Sequence, residues 1–61
     1  MTAQEIYNYF GNSMKFQDAT GMRHGNIYNW KQSSYVPMLS QMKIERLTNG
    51  ELTAKWEDAG E

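Results

Sequence analysis

The first apolar residues of the chain have helical spacing and are followed by a glycine. They lie three and four positions apart, at Ile6, Tyr9 and Phe10. Thr2 and Glu5 precede this group at the spacing of a capping box, in which each side chain binds the other residue's main-chain N–H. Gly11 suits the left-handed conformation that ends many helices. The pattern therefore predicts a first helix over 3–10.

Two further short helices are predicted, joined by a turn of three residues that contains Gly21. Either Asn12 or Ser13 can cap the second helix, over 13–20, and the third helix follows at 24–31. Their core positions are predicted at Phe16, Ala19, Thr20, Ile27 and Trp30. Two short helices with a glycine-containing turn of this length are typical of a helix-turn-helix.

The second half of the chain leaves two alternatives open. Residues 32–36 have no helical period and predict a loop, after which Pro37 suits the first turn of a fourth helix at 37–48. Its predicted core positions are Met38, Leu39, Met42 and Leu47. Asn49-Gly50 can end that helix, or it can form the turn of a β-hairpin over 42–56. The helix is favoured, because apolar and polar residues do not alternate cleanly in 42–48.

These elements predict an all-α fold, a small helix-turn-helix bundle of four to five helices. The alternative is an α+β fold with the C-terminal hairpin at about 42–56. We expect one domain over 1–56, followed by a frayed acidic tail at 57–61.

The composition of the 61-residue chain narrows the classes of function. With no cysteine and one histidine, it offers neither a disulfide nor a zinc site of the usual nitrogen and sulfur ligands. No catalytic constellation, phosphate-binding glycine spacing or membrane-spanning apolar run is evident, so we expect no enzyme activity, cofactor, metal or membrane contact. A soluble intracellular protein is expected.

The charge is distributed unevenly, although the net charge at pH 7 is only −1. Residues 13–31 hold Lys15, Arg23 and Lys31 against one acidic residue, Asp18. Residues 48–61 hold four acidic residues against one lysine. A locally basic surface on the helix-turn-helix is therefore compatible with the acidic total, and nucleic-acid binding stays open.

Several short stretches match the Cro repressors of lambdoid phages and related prophage regulators in order and spacing. They are Tyr9-Phe10-Gly11, Ala19-Thr20-Gly21-Met22, Ile27-Tyr28-Asn29-Trp30-Lys31, Val36-Pro37 and the segment from Ile44 to Leu52. No single stretch is specific, but together they cover about residues 4–54. The chain thus resembles this family, and the resemblance implies a transcriptional repressor that binds a pseudo-palindromic DNA operator as a homodimer. It also implies that the protein acts in the cytoplasm of a bacterial or phage-infected cell.

The resemblance also implies that the third helix enters the major groove. The residues expected to contact bases are then Arg23, His24, Gly25, Asn26, Tyr28 and Asn29. Those expected to contact phosphates are Ser13, Lys15 and Lys31, together with the N-terminus of the second helix. Arg23 has the donors to bind guanine O6 and N7, and Asn29 has the amide to bind adenine N6 and N7. Tyr35–Pro37 and residues around 44–56 are candidate dimer contacts.

Two residues depart from the usual helix-turn-helix pattern. Gln17 occupies a position, four residues before the turn glycine, where a small residue is usual, and Thr20 replaces an apolar one. Either the two helices cross at a different angle or the Gln17 stem bends toward solvent. Three further questions stay open: whether His24 is a base contact or a bystander, whether Tyr35 packs on the loop or at a dimer contact, and whether the chain represses or activates. A protein-interaction module, such as an antitoxin or antirepressor, is the alternative function.

Overall fold

Four α-helices make up most of the fold. The computed structural model describes residues 1–60, in which α1 is Ala3–Phe10, α2 is Ser13–Thr20, α3 is Gly25–Ser33 and α4 is Met38–Leu47. A short 3₁₀ helix, η1, follows at Trp56–Asp58. There is no strand within these residues, so the predicted all-α fold is confirmed and the hairpin alternative at 42–56 is wrong.

The chain leaves α4 by a left-handed turn rather than a hairpin. Asn49 and Gly50 have φ values of 55° and 83°. The Gly50 N–H donates to the carbonyl oxygen of Glu45 at 2.9 Å, which satisfies one of the last free carbonyls of the helix. This bond fixes Asn49-Gly50 as the end of a helix.

Local side-chain caps define the starts of the first two helices. Thr2 and Glu5 form both bonds of the capping box, with donor–acceptor distances of 3.2 and 2.8 Å. Asn12, one of the two residues predicted as a cap, accepts from the main-chain N–H of Lys15 at 2.8 Å. The third helix extends two residues beyond its predicted end, so the following loop is correspondingly shorter.

An aromatic cluster joins α1, α2 and α3. The Phe16 ring is fully buried and meets the edges or faces of Phe10 and Trp30 at centroid distances of 5.6 and 6.0 Å. Ile27 and Trp30 are buried as predicted, but Ala19 is exposed. Thr20 can be buried because its hydroxyl donates to the Phe16 carbonyl at 2.8 Å and accepts from the Met22 N–H at 3.1 Å.

The buried face of α4 differs from the predicted one. The residues that it buries are Gln41, Ile44 and Thr48. Leu39, Met42 and Leu47 are exposed, and Met38 is half-buried, so the predicted core face was wrong by about half a turn. The physical reason is that Gln41 finds hydrogen-bond partners for its whole amide inside the protein, which lets a polar side chain occupy the core.

The C-terminal segment packs on the start of the chain. Asp58 lies 3.1 Å from the Met1 ammonium, and its carbonyl accepts from the Val36 N–H at 2.8 Å. Ala59 is buried, and the Tyr35 ring lies directly against Gly60. The predicted frayed tail is therefore wrong for residues 57–60, and Tyr35 packs on this segment. Residue 61, the last of that predicted tail, lies outside the described residues.

Candidate nucleic-acid interface

A glycine turn sets the angle between α2 and α3. Gly21 has φ 78° and ψ 0°, a left-handed conformation that a side chain would strain, and its N–H donates to the Gln17 carbonyl at 2.8 Å. Residues 21–24 join the two helices, and α3 begins at Gly25. Ile27 and Trp30 face the core, so the opposite side of α3 is directed to solvent.

An open hollow lies where the turn meets the first half of α3. It is lined by Gln17, Gly21, Arg23, His24, Gly25, Asn26 and Asn29. Five of the six predicted base contacts are therefore brought together. The sixth, Tyr28, lies outside this lining and is 65% exposed on α3.

The chemistry of the hollow suits the edge of a base pair. Its lining combines the guanidinium of Arg23, the imidazole of His24 and three side-chain amides, and it contains no carboxylate. Guanidinium and amide groups are the side chains that bind purine edges through two hydrogen bonds. Gly25 adds no side chain, and nothing lies within 4 Å of where its Cβ would be, which leaves the surface open there.

Gln17 belongs to this site, although the sequence marked it only as a departure from the usual pattern. Its Oε1 accepts from the main-chain N–H of His24 at 2.9 Å and lies 2.8 Å from His24 Nδ1. The side chain does not bend away to solvent but is half-buried and joins α2 to the start of α3. No local pattern could have identified this contact, because it depends on how the two helices cross.

The predicted phosphate contacts are more dispersed. Lys15 is exposed on the first turn of α2, and Ser13 is half-buried beside it. The Lys31 Nζ lies 5.0 Å from the centre of the Tyr7 ring, which places it against α1 rather than at the lining of the hollow. Asn12 already accepts one of the free N–H groups at the start of α2. Lys15 and Ser13 are thus the predicted phosphate contacts that remain together.

Residues 1–60 contain neither a metal-binding cluster nor a membrane-spanning helix. No group of three histidine or carboxylate side chains is placed to hold a metal ion. None of the described helices has the length and apolar character needed to cross a bilayer.

Comparison with known proteins agrees with this geometry. A family model described as the DNA-binding transcriptional regulator Cro, from the P22 Cro family, matches residues 2–60. Among solved structures, N15 Cro complexed with consensus operator DNA superposes with a TM-score of 0.84 and 30% sequence identity, covering 93% of this chain and 90% of that one. A search of curated proteins gave no match. Because the family model spans nearly the whole chain, this protein belongs to the P22 Cro family of DNA-binding transcriptional regulators.

Proposed function

We propose that the protein represses transcription by binding a pseudo-palindromic DNA operator as a homodimer, with α3 in the major groove. The observation that carries this proposal is the hollow at the start of α3, where Arg23, Asn26 and Asn29 converge without any carboxylate. The related N15 Cro was solved with consensus operator DNA, which supports the same class of partner for this chain. Repression would take place where the DNA is, in the cytoplasm of a bacterial cell.

The packing of α3 supports its role as the recognition helix. Ile27 and Trp30 anchor the helix to the core, and Trp30 lies edge-to-face against Phe16. A helix held in this way can present side chains on its other face with little loss of conformational entropy on binding. In the first half of α3, the exposed residues Gly25, Tyr28 and Asn29 are those that the helix offers to DNA.

The outer face of α4 supports the dimer. This outer face consists of three exposed apolar residues, Leu39, Met42 and Leu47. At about 100° per residue, Leu39 and Met42 lie on the side of the helix away from Ile44, and Leu47 lies at its edge. Water-exposed leucine and methionine side chains grouped on one helix face are typical of association surfaces. A second copy of the same chain would cover this face symmetrically, as a two-fold dimer on a palindrome requires.

Selection of bound duplexes from a random DNA pool tests the proposal. We expect enriched sequences with two related half-sites whose centres lie about one helical turn, roughly 34–36 Å, apart. Absence of any enrichment at low salt would contradict DNA binding. In that case the protein-interaction alternative would be favoured. Capture of a protein partner whose binding does not require the phosphate charge of DNA would support it.

Replacing Arg23 by alanine is expected to weaken operator binding about 5- to 150-fold for each half-site, because each subunit loses one bidentate hydrogen-bonding pair of about 1–3 kcal/mol. Arg23→Lys is the matched variant, because it retains the charge but not the planar fork of donors. We expect Arg23→Lys to bind non-specific DNA normally and still lose discrimination at one base pair. Fluorescence anisotropy with the selected duplex measures both effects, and unchanged affinity for Arg23→Ala would exclude a base contact.

Replacing Lys15 by alanine is expected to act differently, because a side chain that binds a phosphate recognises no sequence. Affinity should fall by a similar factor on selected and unrelated duplexes. The slope of log affinity against log salt concentration should become shallower by about 0.9 for each phosphate that the variant no longer neutralises, or about two per dimer. Lys55, an exposed lysine near the C-terminus, provides the control, because Lys55→Ala should leave that slope unchanged.

A further inference from the structure

The bond between Gln17 and His24 determines which nitrogen of the imidazole carries the proton. The main-chain N–H of His24 can only donate, so the Gln17 atom that it meets at 2.9 Å is the amide oxygen. That same oxygen lies 2.8 Å from His24 Nδ1. An amide oxygen can only accept, and Nδ1 of the neutral ring must therefore be the protonated nitrogen.

This assignment leaves the second ring nitrogen with a lone pair. A neutral imidazole has one N–H, so when Nδ1 holds it, Nε2 is a hydrogen-bond acceptor. Within residues 1–60, Nε2 forms no hydrogen bond, and the His24 ring is exposed at the lining of the hollow. The ring thus offers an acceptor to whatever occupies the hollow, directly beside the donors of Arg23.

We propose that Gln17 is a positioning residue that sets the hydrogen-bond polarity of His24, so that neutral His24 accepts a bond from a base amino group. This inference rests on the proposed function. In the major groove, adenine N6 and cytosine N4 are the amino donors, whereas guanine presents only acceptors. His24 and Arg23 therefore select opposite partners: His24 an amino-bearing base, and Arg23 the acceptors of guanine.

The tautomer can be measured on the free protein, because the chain contains a single histidine. Long-range ¹H–¹⁵N correlation spectra at about pH 8.5, above the usual range of histidine titration, distinguish the two tautomers. We expect Nδ1 to be protonated in the unaltered chain and in Gln17→Glu, which retains an acceptor oxygen. In Gln17→Met, of similar length but without an acceptor at that place, the ring should return to the Nε2-protonated form that free histidine favours.

Two spectroscopic outcomes would overturn the proposal. One is an Nε2-protonated ring in the unaltered protein, and the other is an unchanged tautomer in Gln17→Met. A circular dichroism spectrum shows whether Gln17→Met retains its helices, so that a folding defect is not mistaken for a change of tautomer. Because Gln17 is only half-buried, we expect that variant to fold.

Selection from the random DNA pool at the same pH then tests recognition. The unaltered protein should prefer adenine or cytosine at one base of each half-site. In Gln17→Met, that preference should be about tenfold weaker. Equal base preference in both proteins, despite different tautomers, would overturn the role of His24 in recognition. If the unaltered protein binds no DNA, that result contradicts the proposed function and the base contact, while the tautomer measurement still decides what Gln17 does to the ring.

Discussion

Replacing Leu39 and Met42 together by glutamine is expected to lower affinity for a palindromic operator by about 10²–10⁴-fold. These residues are 82% and 55% exposed on the outer face of α4, so the change removes little that holds the monomer together. A dimer on two half-sites gains affinity because binding of one subunit holds the second close to its own half-site. Without the apolar surface between the subunits, each subunit must bind its half-site independently, and this gain in affinity is lost.

The half-site duplex separates loss of the dimer from damage to the DNA-binding surface. A single half-site needs only one subunit, so the glutamine variant should bind it within about twofold of the unaltered chain. Met14→Gln is the matched control for self-association, since Met14 is 53% exposed but lies on α2. Sedimentation at increasing protein concentration should show weakened self-association for the α4 variant alone. Equal affinity of both proteins for the full palindrome would mean that the outer face of α4 does not join the subunits.

The first three helices were predictable because their signals are local. Thr2 and Glu5 cap each other across three residues, and Gly11 and Gly21 end helices through their own backbone conformations. Such signals depend little on the rest of the fold. The position of the candidate site followed from the same turn, since Gly21 fixes where α3 begins.

The orientation of α4 and the role of Gln17 were not predictable in the same way. Gln41 can be buried because its amide finds partners in the fold, and two of them, Met1 and Lys55, are 40 and 14 residues away in the sequence. The core face of α4 was predicted from its apolar side chains, but apolar residues also occur on exposed surfaces that bind other molecules. Gln17 contacts His24 only because α2 and α3 cross near the turn, which a helical pattern does not specify.

Gln41 connects four parts of the fold through one buried amide. Its Oε1 accepts from the Met1 ammonium at 2.7 Å and from the Lys55 N–H at 2.9 Å. Its Nε2 donates to the carbonyl oxygens of Val36 at 2.9 Å and Lys55 at 3.1 Å. Both atoms are thus fully used, and the start of the chain, the loop before α4 and the C-terminal segment meet α4 at this side chain.

Replacing Gln41 by leucine is expected to destabilise the protein by about 3–5 kcal/mol, enough to unfold most molecules of so small a domain. Leucine has a similar volume but leaves the buried Val36 carbonyl and the partly buried Lys55 N–H without their partners. The Lys55 carbonyl also loses Gln41 but still accepts from the Asp58 N–H at 3.1 Å. Each buried group left unpaired costs about 1–3 kcal/mol. Urea titration followed by circular dichroism at 222 nm, the standard helix signal, measures the loss of stability.

The Gln32→Leu variant is the matched control, because Gln32 is exposed on the last turns of α3. Its free energy of unfolding should stay within about 0.5 kcal/mol of the original value. Hydrogen exchange adds a local measurement, since the Lys55 N–H donates to Gln41 and should be protected in the control. A Gln41→Leu protein that is destabilised by less than about 1 kcal/mol, the typical net value of one hydrogen bond, would contradict the prediction. The C-terminal segment would then be held mainly by contacts such as the Met1–Asp58 ion pair.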